Sequence, residues 1–453
     1  MIQKGLARTQ LLAAAALTGL LASCAAGPQP TKPPVTGSTP VEAPETGPIK
    51  YASSGHAAMD VWRNDFSNRA LAAGHDRELV KSLLTGLEPI ALWLGTDFQV
   101  AGTGISDQAE FSKPIWDYLK VPLGDSRITN GKERLAAAPA LFDQIEARYG
   151  VDRQVVVAIW GMETSYGAVI GNFDAGNVLA NMAVEGRRKS FAEKELYAVM
   201  TMVERGDAER SDLIAGWAGA MGQTQFMPST YVAYAEDFDG DGRKDVWKNE
   251  GDALGSAANY LKKSGYMMGQ PWGIEVAVPF SFDYSLADGT ERNMDTWRAA
   301  GLTPITGGAF ETGGANAAQL WLPAGAAGPK YLLFPNFKVF KAYNNADSYA
   351  FAVGMAGNAI VGQTGPVTPW PTYLKPLSVA DIKALQAGLT AQGYNAGPVD
   401  GIPGRQTKLA LMGFQKSRGV VADGYPTKEM LDLVTGTSSG GGTVGVSSAD
   451  GPS

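Results

Sequence analysis

The chain contains the segment Trp160-Gly161-Met162-Glu163-Thr164-Ser165-Tyr166-Gly167, in which one acid follows an apolar helical stretch. The apolar flanks predict a Glu163 carboxyl group whose pKa is raised, as a general acid working near neutral pH requires. Gly161 and Gly167 predict room for a bulky ligand close to the backbone. The alternative is a carboxylate at a helix end in solvent, which is the commoner place for a glutamate.

A second segment reads Gly216-Trp217-Ala218-Gly219-Ala220-Met221-Gly222-Gln223-Thr224-Gln225-Phe226-Met227-Pro228-Ser229-Thr230-Tyr231. Small residues here surround two amides and two large apolar side chains. The amide of Gln225 can both donate and accept hydrogen bonds, which suits the recognition of an N-acetyl sugar. The alternative is a tight turn in the core, in which Gln225 only satisfies backbone groups.

The composition narrows the chemistry that such segments can perform. A chain of 453 residues predicts two or three domains. The net charge of −7, without a long basic run, disfavours nucleic acid as a partner. One cysteine and two histidines exclude a disulfide framework and a zinc site of the Cys/His type. Any catalysis must therefore come from carboxylates, amides and hydroxyls, and we expect no cofactor in the chemical step.

The N-terminus predicts export. Residues 1–23 combine two basic residues, an apolar run and small residues at the end, as secretory signals do, and the run is too short to span a bilayer. Leu21-Ala22-Ser23-Cys24 resembles the bacterial lipobox, which implies cleavage before Cys24 and acylation of its sulfur. The alternative is plain secretion with an incidental cysteine. We expect a periplasmic protein whose anchor lies in a membrane, the outer membrane being the expected one.

The rest of the chain divides by composition. Residues 24–50 predict a Pro/Thr/Gly-rich tether, residues 365–377 a Pro-rich linker, and residues 436–453 a disordered Gly/Ser tail. Residues 55–364 predict a globular unit with about ten helices, including two between 136 and 162 that Gly150 separates. Within that unit, residues 276–282 and 331–340 are β-rich and predict strands.

Residues 378–435 form a third unit with an internal repeat. Asp400-Gly401 followed by Thr407 recurs as Asp423-Gly424 followed by Thr427, which predicts two tight turns, each followed by a helix that the threonine caps. Helices are expected at about 379–392, 405–418 and 427–434. The unit resembles the peptidoglycan-binding domain of cell-wall enzymes, and the alternative is a generic three-helix bundle. The matching residues are Leu385, Gln386, Gly393, Tyr394, Asp400, Gly401, Gly404, Thr407, Phe414, Gln415, Gly419, Asp423 and Gly424.

The two central segments together resemble the lytic transglycosylases of the membrane-bound B type, glycoside hydrolase family 103, and the resemblance extends over about 61–362. It implies a mainly α (α+β) architecture: a lysozyme-like helical catalytic domain with a small β-containing subdomain, followed by the three-helix unit. It also implies peptidoglycan glycan strands as the substrate. Glu163 matches the catalytic acid/base of the family, and four positions match residues that line its cleft: Gln225, Tyr260, Asn344 and Tyr349.

The resemblance further implies cleavage between N-acetylmuramic acid and N-acetylglucosamine, with 1,6-anhydromuramic acid ends. Many members carry serine where this chain has Gly216. If that serine hydroxyl orients the N-acetyl group of the substrate, water or another residue must do so here. Two rivals remain open at this stage. One is a hydrolytic muramidase that admits water, and the other is a non-catalytic lipoprotein that binds peptidoglycan.

Residues 237–245 follow the spacing of an EF-hand calcium loop, with Gly242 at the sixth position. Position twelve is Lys248, which cannot be the usual bidentate ligand, and Asp252 is the replacement that the family resemblance suggests. The alternative is a solvated acidic turn capped by its own aspartates. Any calcium here would be structural. The candidate ligands are Asp237, Asp239, Asp241, Arg243 and Asp252.

Overall fold

The computed structural model describes residues 47–94 and 113–437. Cys24, the predicted signal at 1–23 and nearly all of the predicted tether and tail lie outside these residues. Ile49, inside the predicted tether, is buried against the N-terminal helices. None of the described helices is long and apolar enough to cross a membrane.

The described residues before position 365 are built mainly into helices. In chain order, α1 to α14 are Ala57–Ala72, Arg77–Leu84, Ala91–Leu94, Ile115–Tyr118, Asp125–Ala137, Pro139–Tyr149, Arg153–Thr164, Ala175–Glu185, Lys189–Glu204, Pro228–Tyr234, Glu250–Lys263, Met294–Ala299, Pro335–Tyr343 and Asp347–Ile360.

Local sequence sets several of these boundaries. The side chain of Asp76 caps the N-terminus of α2 by accepting the amide of Leu79, and that of Asp174 caps α8 in the same way. Helix α6 ends at Gly150, whose φ of 65° is the left-handed conformation that glycine adopts most readily. The predicted break between α6 and α7 is therefore confirmed.

The described residues also form seven short strands. Strands β1 to β7 are Phe173–Asp174, Ile214–Ala215, Gly273–Ala277, Glu291–Asn293, Thr303–Pro304, Ala317–Trp321 and Tyr331–Leu333. β1 and β2 pair with each other, and the other five form an antiparallel sheet in the order β4-β6-β7-β3-β5. The mainly helical architecture with a small β-containing part is confirmed.

The predicted strand at 331–340 is only partly correct. β7 ends at Leu333, and α13 begins at Pro335 because proline fits the first turn of a helix, where its missing N–H is not needed. The strand predicted at 276–282 lies earlier in the chain, as β3. Short apolar runs of this kind do not distinguish a strand from a buried helix.

Two large hydrophobic cores among the described residues hold most of the helices from α1 to α14 together. One contains α6, α7, α13 and α14, and the other contains α1, α2, α8, α9 and the segment 213–235. Helix α7 has eight buried residues among its twelve, so it runs through the interior and exposes little of its length. Burial on this scale fixes the direction in which its C-terminal residues point.

The third unit is three helices, α15 to α17, at Val379–Ala391, Arg405–Ser417 and Lys428–Thr435, close to the predicted bounds. The internal repeat is visible in its hydrogen bonds. Gln386 accepts the amide of Gly401 at 3.0 Å and donates to Asp400 at 3.0 Å. In the second copy, Gln415 accepts the amide of Gly424 at 2.8 Å and donates to Asp423 at 2.9 Å. Each buried glutamine thus holds one Asp-Gly turn.

Only one of the two predicted threonine caps is correct. Thr427 caps α17 by accepting the amide of Met430, whereas Thr407 lies inside α16. The buried hydroxyl of Thr407 donates to the carbonyl of Ala396 at 2.9 Å and lies 3.2 Å from the donating amide of Gln386. The second threonine of the repeat therefore stabilises a helix end, and the first joins the turn to the core of the unit.

The Pro-rich segment 365–377 packs against the helices and the sheet that precede it in the chain. The amides of Val367 and Thr368 donate to the carboxylate of Glu275 at 2.7 and 2.8 Å. The ring of Trp370 lies 6.3 Å from that of Trp116 and 6.2 Å from that of Phe351. These contacts attach the segment before α15 to the sheet and to the main helical core.

Candidate active site

Glu163 is the next-to-last residue of α7 and is half-buried. The hydroxyl of Tyr349, in α14, donates a hydrogen bond of 2.5 Å to its Oε1. α7 and α14 pack on each other within the same core. A buried tyrosine thus fixes the orientation of a half-buried carboxyl group at a helix end, which suits an acid that transfers protons.

The turn after Glu163 is unusual in its backbone. Ser165 and Tyr166 have φ values of 51° and 63°, in the left-handed region that residues with a Cβ seldom adopt. This turn folds the ring of Tyr166 back onto α7, where it meets the ring of Trp160 edge-on at 5.6 Å. A Cβ on Gly161 would lie 2.6 Å from Cζ of Tyr166.

The expected ligand space at the two glycines is therefore absent. The side chain of Tyr166 fills the space over Gly161, and that of Gln223 fills the space over Gly167, where a Cβ would lie 2.5 Å from Oε1. Both glycines allow side chains of this protein to approach the backbone. The physical reason is the tight turn, which sequence alone does not reveal.

Arg127, in α5, binds the end of α7 from outside. Its guanidinium donates to the carbonyl of Gly161 and lies 3.4 Å from the hydroxyl of Ser165, while its own carbonyl accepts the hydroxyl of Tyr166 at 2.7 Å. A cation at a helix C-terminus complements the partial negative charge there. Sequence analysis missed Arg127, because an arginine on a helix 36 residues before the acid carries no local signal.

The second segment packs directly against the first. The indole of Trp160 donates to Oε1 of the buried Gln223 at 3.0 Å, and Thr164 donates to its carbonyl at 2.6 Å. Gln225 has a φ of 51°, and its amide donates to the carbonyls of Gly222 at 2.9 Å and Ile170 at 3.4 Å. As the core-turn alternative expected, Gln225 does satisfy backbone groups.

The oxygen of the Gln225 amide points toward Gly216. A Cβ at Gly216 would lie 3.0 Å from Oε1 of Gln225. The half-buried glutamine therefore presents its acceptor at the position where the family resemblance expects a serine.

Tyr343 and Tyr260 continue this surface. The hydroxyl of Tyr343 donates to the carbonyl of Thr224 at 2.7 Å, and its ring meets that of Tyr260 edge-on at 5.3 Å. The hydroxyl of Tyr260 donates to the carbonyl of Ala342 at 2.5 Å. Tyr343 was not among the predicted site residues, although its place beside Asn344 at the end of α13 was a usable signal.

Asn344 has a structural contact of its own. It ends α13, and its side-chain oxygen accepts the amide of Ala346 just before α14 begins. The structure thus places Glu163 in contact with Tyr349. Gln225 directly follows Thr224, whose carbonyl accepts the hydroxyl of Tyr343. Asn344 shapes the connection between α13 and α14.

Two tyrosines near Glu163 remain protonated over a wide range of pH. Burial, and then the negative charge of Glu163, raise the pKa of Tyr349 and of Tyr343 well above the usual value. Tyr349 therefore remains a donor toward Glu163 whichever protonation state the carboxyl group has. Such a donor favours the ionised form of its partner and holds it in one orientation.

The acidic loop brings together three of the five predicted ligands. Carboxylate oxygens of Asp237, Asp239 and Asp252 lie within 4.8 Å of one another. Asp252 is fully buried, and burial, together with the charges of the other two, raises its pKa. The structure does not include Asp241 in this group, and the side chain of Arg243 binds Asp212 at 3.0 Å.

The loop aspartates also accept backbone amides. Asp237 accepts those of Gly240 at 2.7 Å and Gly242 at 2.9 Å, as the acidic-turn alternative expected. That alternative does not require Asp252, which lies in α11 and accepts the amides of Phe238 and Asp245. Three carboxylates that converge on one point fit a hard cation such as calcium, which prefers oxygen ligands. The positive charge of the ion would also relieve the repulsion among the three carboxylates.

Comparisons with known proteins agree with this geometry. The transglycosylase SLT domain family matches residues 58–358, and a peptidoglycan binding domain family matches residues 378–434. The membrane-bound lytic murein transglycosylase B of Escherichia coli is 29% identical over 356 residues, which cover 75% of this chain and 94% of that protein.

Solved structures show the same relationship. SltB3 from Pseudomonas aeruginosa, in complex with NAG-NAM-pentapeptide, is 41% identical with a TM-score of 0.78, and the match covers 84% of this chain and 100% of that one. The Escherichia coli lytic transglycosylase SLT35 in complex with calcium is 27% identical with a TM-score of 0.56, covering 68% of this chain and 93% of that one. The chain therefore belongs to the transglycosylase SLT domain family and is a lytic transglycosylase of peptidoglycan.

Proposed function

We propose that this protein cleaves the β-1,4 bond between N-acetylmuramic acid and N-acetylglucosamine and leaves 1,6-anhydromuramic acid ends, with Glu163 as the acid and then the base. The observation that carries the proposal is the hydrogen bond from Tyr349 to Glu163. It holds Oε1 of Glu163 on a buried tyrosine and so fixes the orientation of the carboxyl group at the end of α7. SltB3 has also been solved with NAG-anhNAM-pentapeptide, a ligand with an anhydro sugar, which supports the same product here.

The proposed reaction needs one carboxyl group of the protein. Glu163 donates its proton to the leaving O4 of N-acetylglucosamine while the 2-acetamido oxygen of the muramic sugar stabilises the electron-poor C1. The ionised Glu163 then accepts the proton of the muramic O6 hydroxyl, and O6 attacks C1 of the same sugar. An attack within one molecule has a proximity advantage over water. Ordinary glycosidases instead use a second carboxylate.

Other carboxylates near the site in sequence have partners of their own. Glu193 binds Arg69 at 2.7 Å, and Glu195 accepts both the amide and the hydroxyl of Ser229. Glu185 binds Arg187. Because each is already engaged, these three acids are poor candidates for a second catalytic carboxylate, which favours the single-acid mechanism over the hydrolytic one.

A digest of purified sacculi tests this proposal. The released muropeptides should be one water lighter than the reducing products of a muramidase, and they should resist borohydride reduction. Reducible ends would identify a hydrolase. Tight binding to sacculi without any released muropeptide would instead support the non-catalytic alternative.

We further propose that calcium binds the loop at Asp237, Asp239 and Asp252, with contributions from Asp241 and the backbone carbonyl of Arg243. The convergence of the first three carboxylates supports this site. When bound, the ion would supply positive charge that joins the loop to α11, and it would take no part in the chemistry at Glu163.

A lipid anchor at Cys24 completes the proposal. The lipobox-like Leu21-Ala22-Ser23-Cys24 supports it, and the curated relative is a membrane-bound enzyme. About 25 residues of Pro-rich chain reach roughly 80 Å at 3.1 Å per residue. An enzyme held in this way in the periplasm, on the outer membrane, would reach nearby glycan strands.

A further inference from the structure

A cleft of about 1060 Å³ lies between the five-stranded sheet, the helices α13 and α14, and the C-terminal unit. Asn345 and Ser348 line it, and each is next in sequence to a predicted site residue, Asn344 or Tyr349, although neither of those two lines the cleft itself. Nothing in the proposed chemistry at Glu163 uses this cleft.

Direct contacts fix the shape of the cleft. The side chain of Met412, in α16, is buried in the core of the sheet. The amide of Ala326 donates to Oδ2 of Asp423 at 2.8 Å across the same boundary. A Cβ at Gly325 would lie 2.7 Å from that carboxylate, so glycine permits the close approach. The C-terminal unit is thus docked on the sheet, and the cleft has a defined wall on each side.

The acidic side chains that line the cleft are already paired. Each of them has a partner among the described residues: Asp288 with Arg292, Glu291 with Lys338, Asp347 with Lys341, and Asp423 with Gln415. A positively charged ligand would have to displace one of these partners. The cleft therefore does not favour a cation.

Three basic side chains that line the cleft, those of Lys113, Arg405 and Lys408, form no ion pair within the described part of the chain. Arg405 donates at 3.3 Å to the backbone carbonyl of Asp288, and Lys408 extends into the cleft one turn later on α16. Burial lowers the pKa of the Lys408 ammonium, while the more distant charges of Asp423, Asp347 and Asp288 oppose that change. An anion in the cleft would give Arg405 and Lys408 a direct ion-pair partner, which neither has among the described residues.

Two helix N-termini open on the same space. α14 begins at Asp347 after Ala346, and α16 begins at Arg405 after Gly404, and neither has a side-chain cap hydrogen bond. The first residues of both helices line the cleft. Helix N-termini carry partial positive charge and favour carboxylates and phosphates.

We infer that this cleft binds a carboxylate of a peptidoglycan stem peptide, through Arg405, Lys408 and the amides that begin α14 and α16. The inference rests on the proposed function, which supplies peptidoglycan as the substrate. Glycan rings offer hydroxyls and acetamides, and the lactyl carboxyl of the muramic sugar is consumed in the amide bond to the peptide. The free carboxylates of a peptidoglycan strand therefore belong to its stem peptides. The cleft would bind the peptide, and the active site would bind the sugars.

The test compares two ligands that differ only in charge: NAG-NAM-pentapeptide, and the same molecule with every peptide carboxylate amidated. Neither contains the NAM–NAG bond, so the unmutated full chain can be titrated calorimetrically without turnover. A charge-assisted hydrogen bond contributes enough for the free acid to bind about tenfold or more tightly. The combined variant Arg405→Gln with Lys408→Met should bring that ratio close to one.

Two further variants make the result interpretable. Lys416→Gln removes an exposed cation from the same helix outside the cleft and should leave the ratio unchanged. Lys408→Arg keeps the charge and should retain most of the preference, whereas a purely structural role would not depend on charge. Thermal melting of each variant verifies that the C-terminal unit remains docked.

An equal affinity for both ligands in the unmutated protein, or a ratio that survives in the combined variant, would overturn the inference. The sacculus digest judges the catalytic proposal separately. If anhydro products form and the two ligands bind with equal affinity, the proposal about the cleft is wrong and the catalytic proposal stands. If no product forms and the ratio is tenfold, the cleft stands and the catalytic proposal fails.

Discussion

The hydroxyl of Tyr349 donates a 2.5 Å hydrogen bond to Oε1 of Glu163, although 186 residues separate the two in the chain. Because burial and the neighbouring charge of Glu163 raise the pKa of Tyr349 well above the usual value, its hydroxyl remains a donor near neutral pH. The hydrogen bond fixes Oε1 of Glu163, and with it the orientation of the whole carboxyl group. The catalytic predictions below depend on this pair.

Replacing Glu163→Gln should remove most of the activity. The variant keeps the shape of the side chain but cannot supply or accept the proton, and general acid–base assistance is typically worth about 10²–10⁴-fold. One residue fills both roles here, so the loss should approach the upper limit. Muropeptide release from sacculi measures it, and binding to sacculi should persist because α15–α17 do not contain Glu163. Retained release would show that another group is the acid.

Replacing Tyr349→Phe should lower activity by about 10- to 100-fold, since a hydrogen bond to a charged group is worth roughly 1.5–3 kcal/mol. Removing the donor also disfavours the ionised form of Glu163. The basic limb of the pH–rate profile, above which the acid is deprotonated, should therefore move to higher pH. Tyr373→Phe changes a tyrosine that is 75% exposed and should leave both rate and profile unchanged. A lower rate with an unmoved profile would contradict the role assigned to Tyr349.

Calcium should raise the melting temperature of the protein. A ligand that binds only the folded state adds about 2.7 kcal/mol when its concentration is a hundredfold above Kd. Asp237→Ala should abolish the increase, and Asp295→Ala, which removes an exposed carboxylate elsewhere, should preserve it. Identical melting curves in calcium and in chelator would favour the self-capped acidic turn.

Replacing Gly161→Ala should destabilise the fold and disturb the site. The added methyl group would lie 2.6 Å from the ring of Tyr166, and such overpacking costs about 1–3 kcal/mol. Denaturant unfolding measures the change in the free energy of unfolding. Gly365→Ala is the matched control, because its Cβ would meet only Cε of Met355, at 4.0 Å. Equal stability of both variants would mean that the turn after α7 adjusts freely.

Replacing Cys24→Ser should release the protein from membranes while leaving the activity of the purified enzyme intact. The reason is that acylation requires the cysteine sulfur, and the tether separates it from the catalytic region. Membrane fractionation and mass analysis of the N-terminus measure the effect. An unmutated protein that is found in the soluble fraction and carries no lipid would contradict the lipobox interpretation.

Local sequence determined the elements whose signals lie within a few residues of one another. Gly150 ends α6, the Asp-Gly turns precede α16 and α17, and all three helices of the C-terminal unit lie within about two residues of prediction. Caps, turns and helical periodicity act over one or two turns of chain, so they can be read directly. The segment around Glu163 was recognisable for the same reason.

Interactions between distant segments were decided only by the tertiary structure. It brought Tyr349 and Arg127 to the two sides of the α7 terminus, and it filled the space over Gly161 with the ring of Tyr166. It also ended β7 before Pro335, although the run to Phe340 is β-rich. Such contacts depend on how buried helices and strands pack, and packing is a property of shape and position in space that no spacing along the chain encodes.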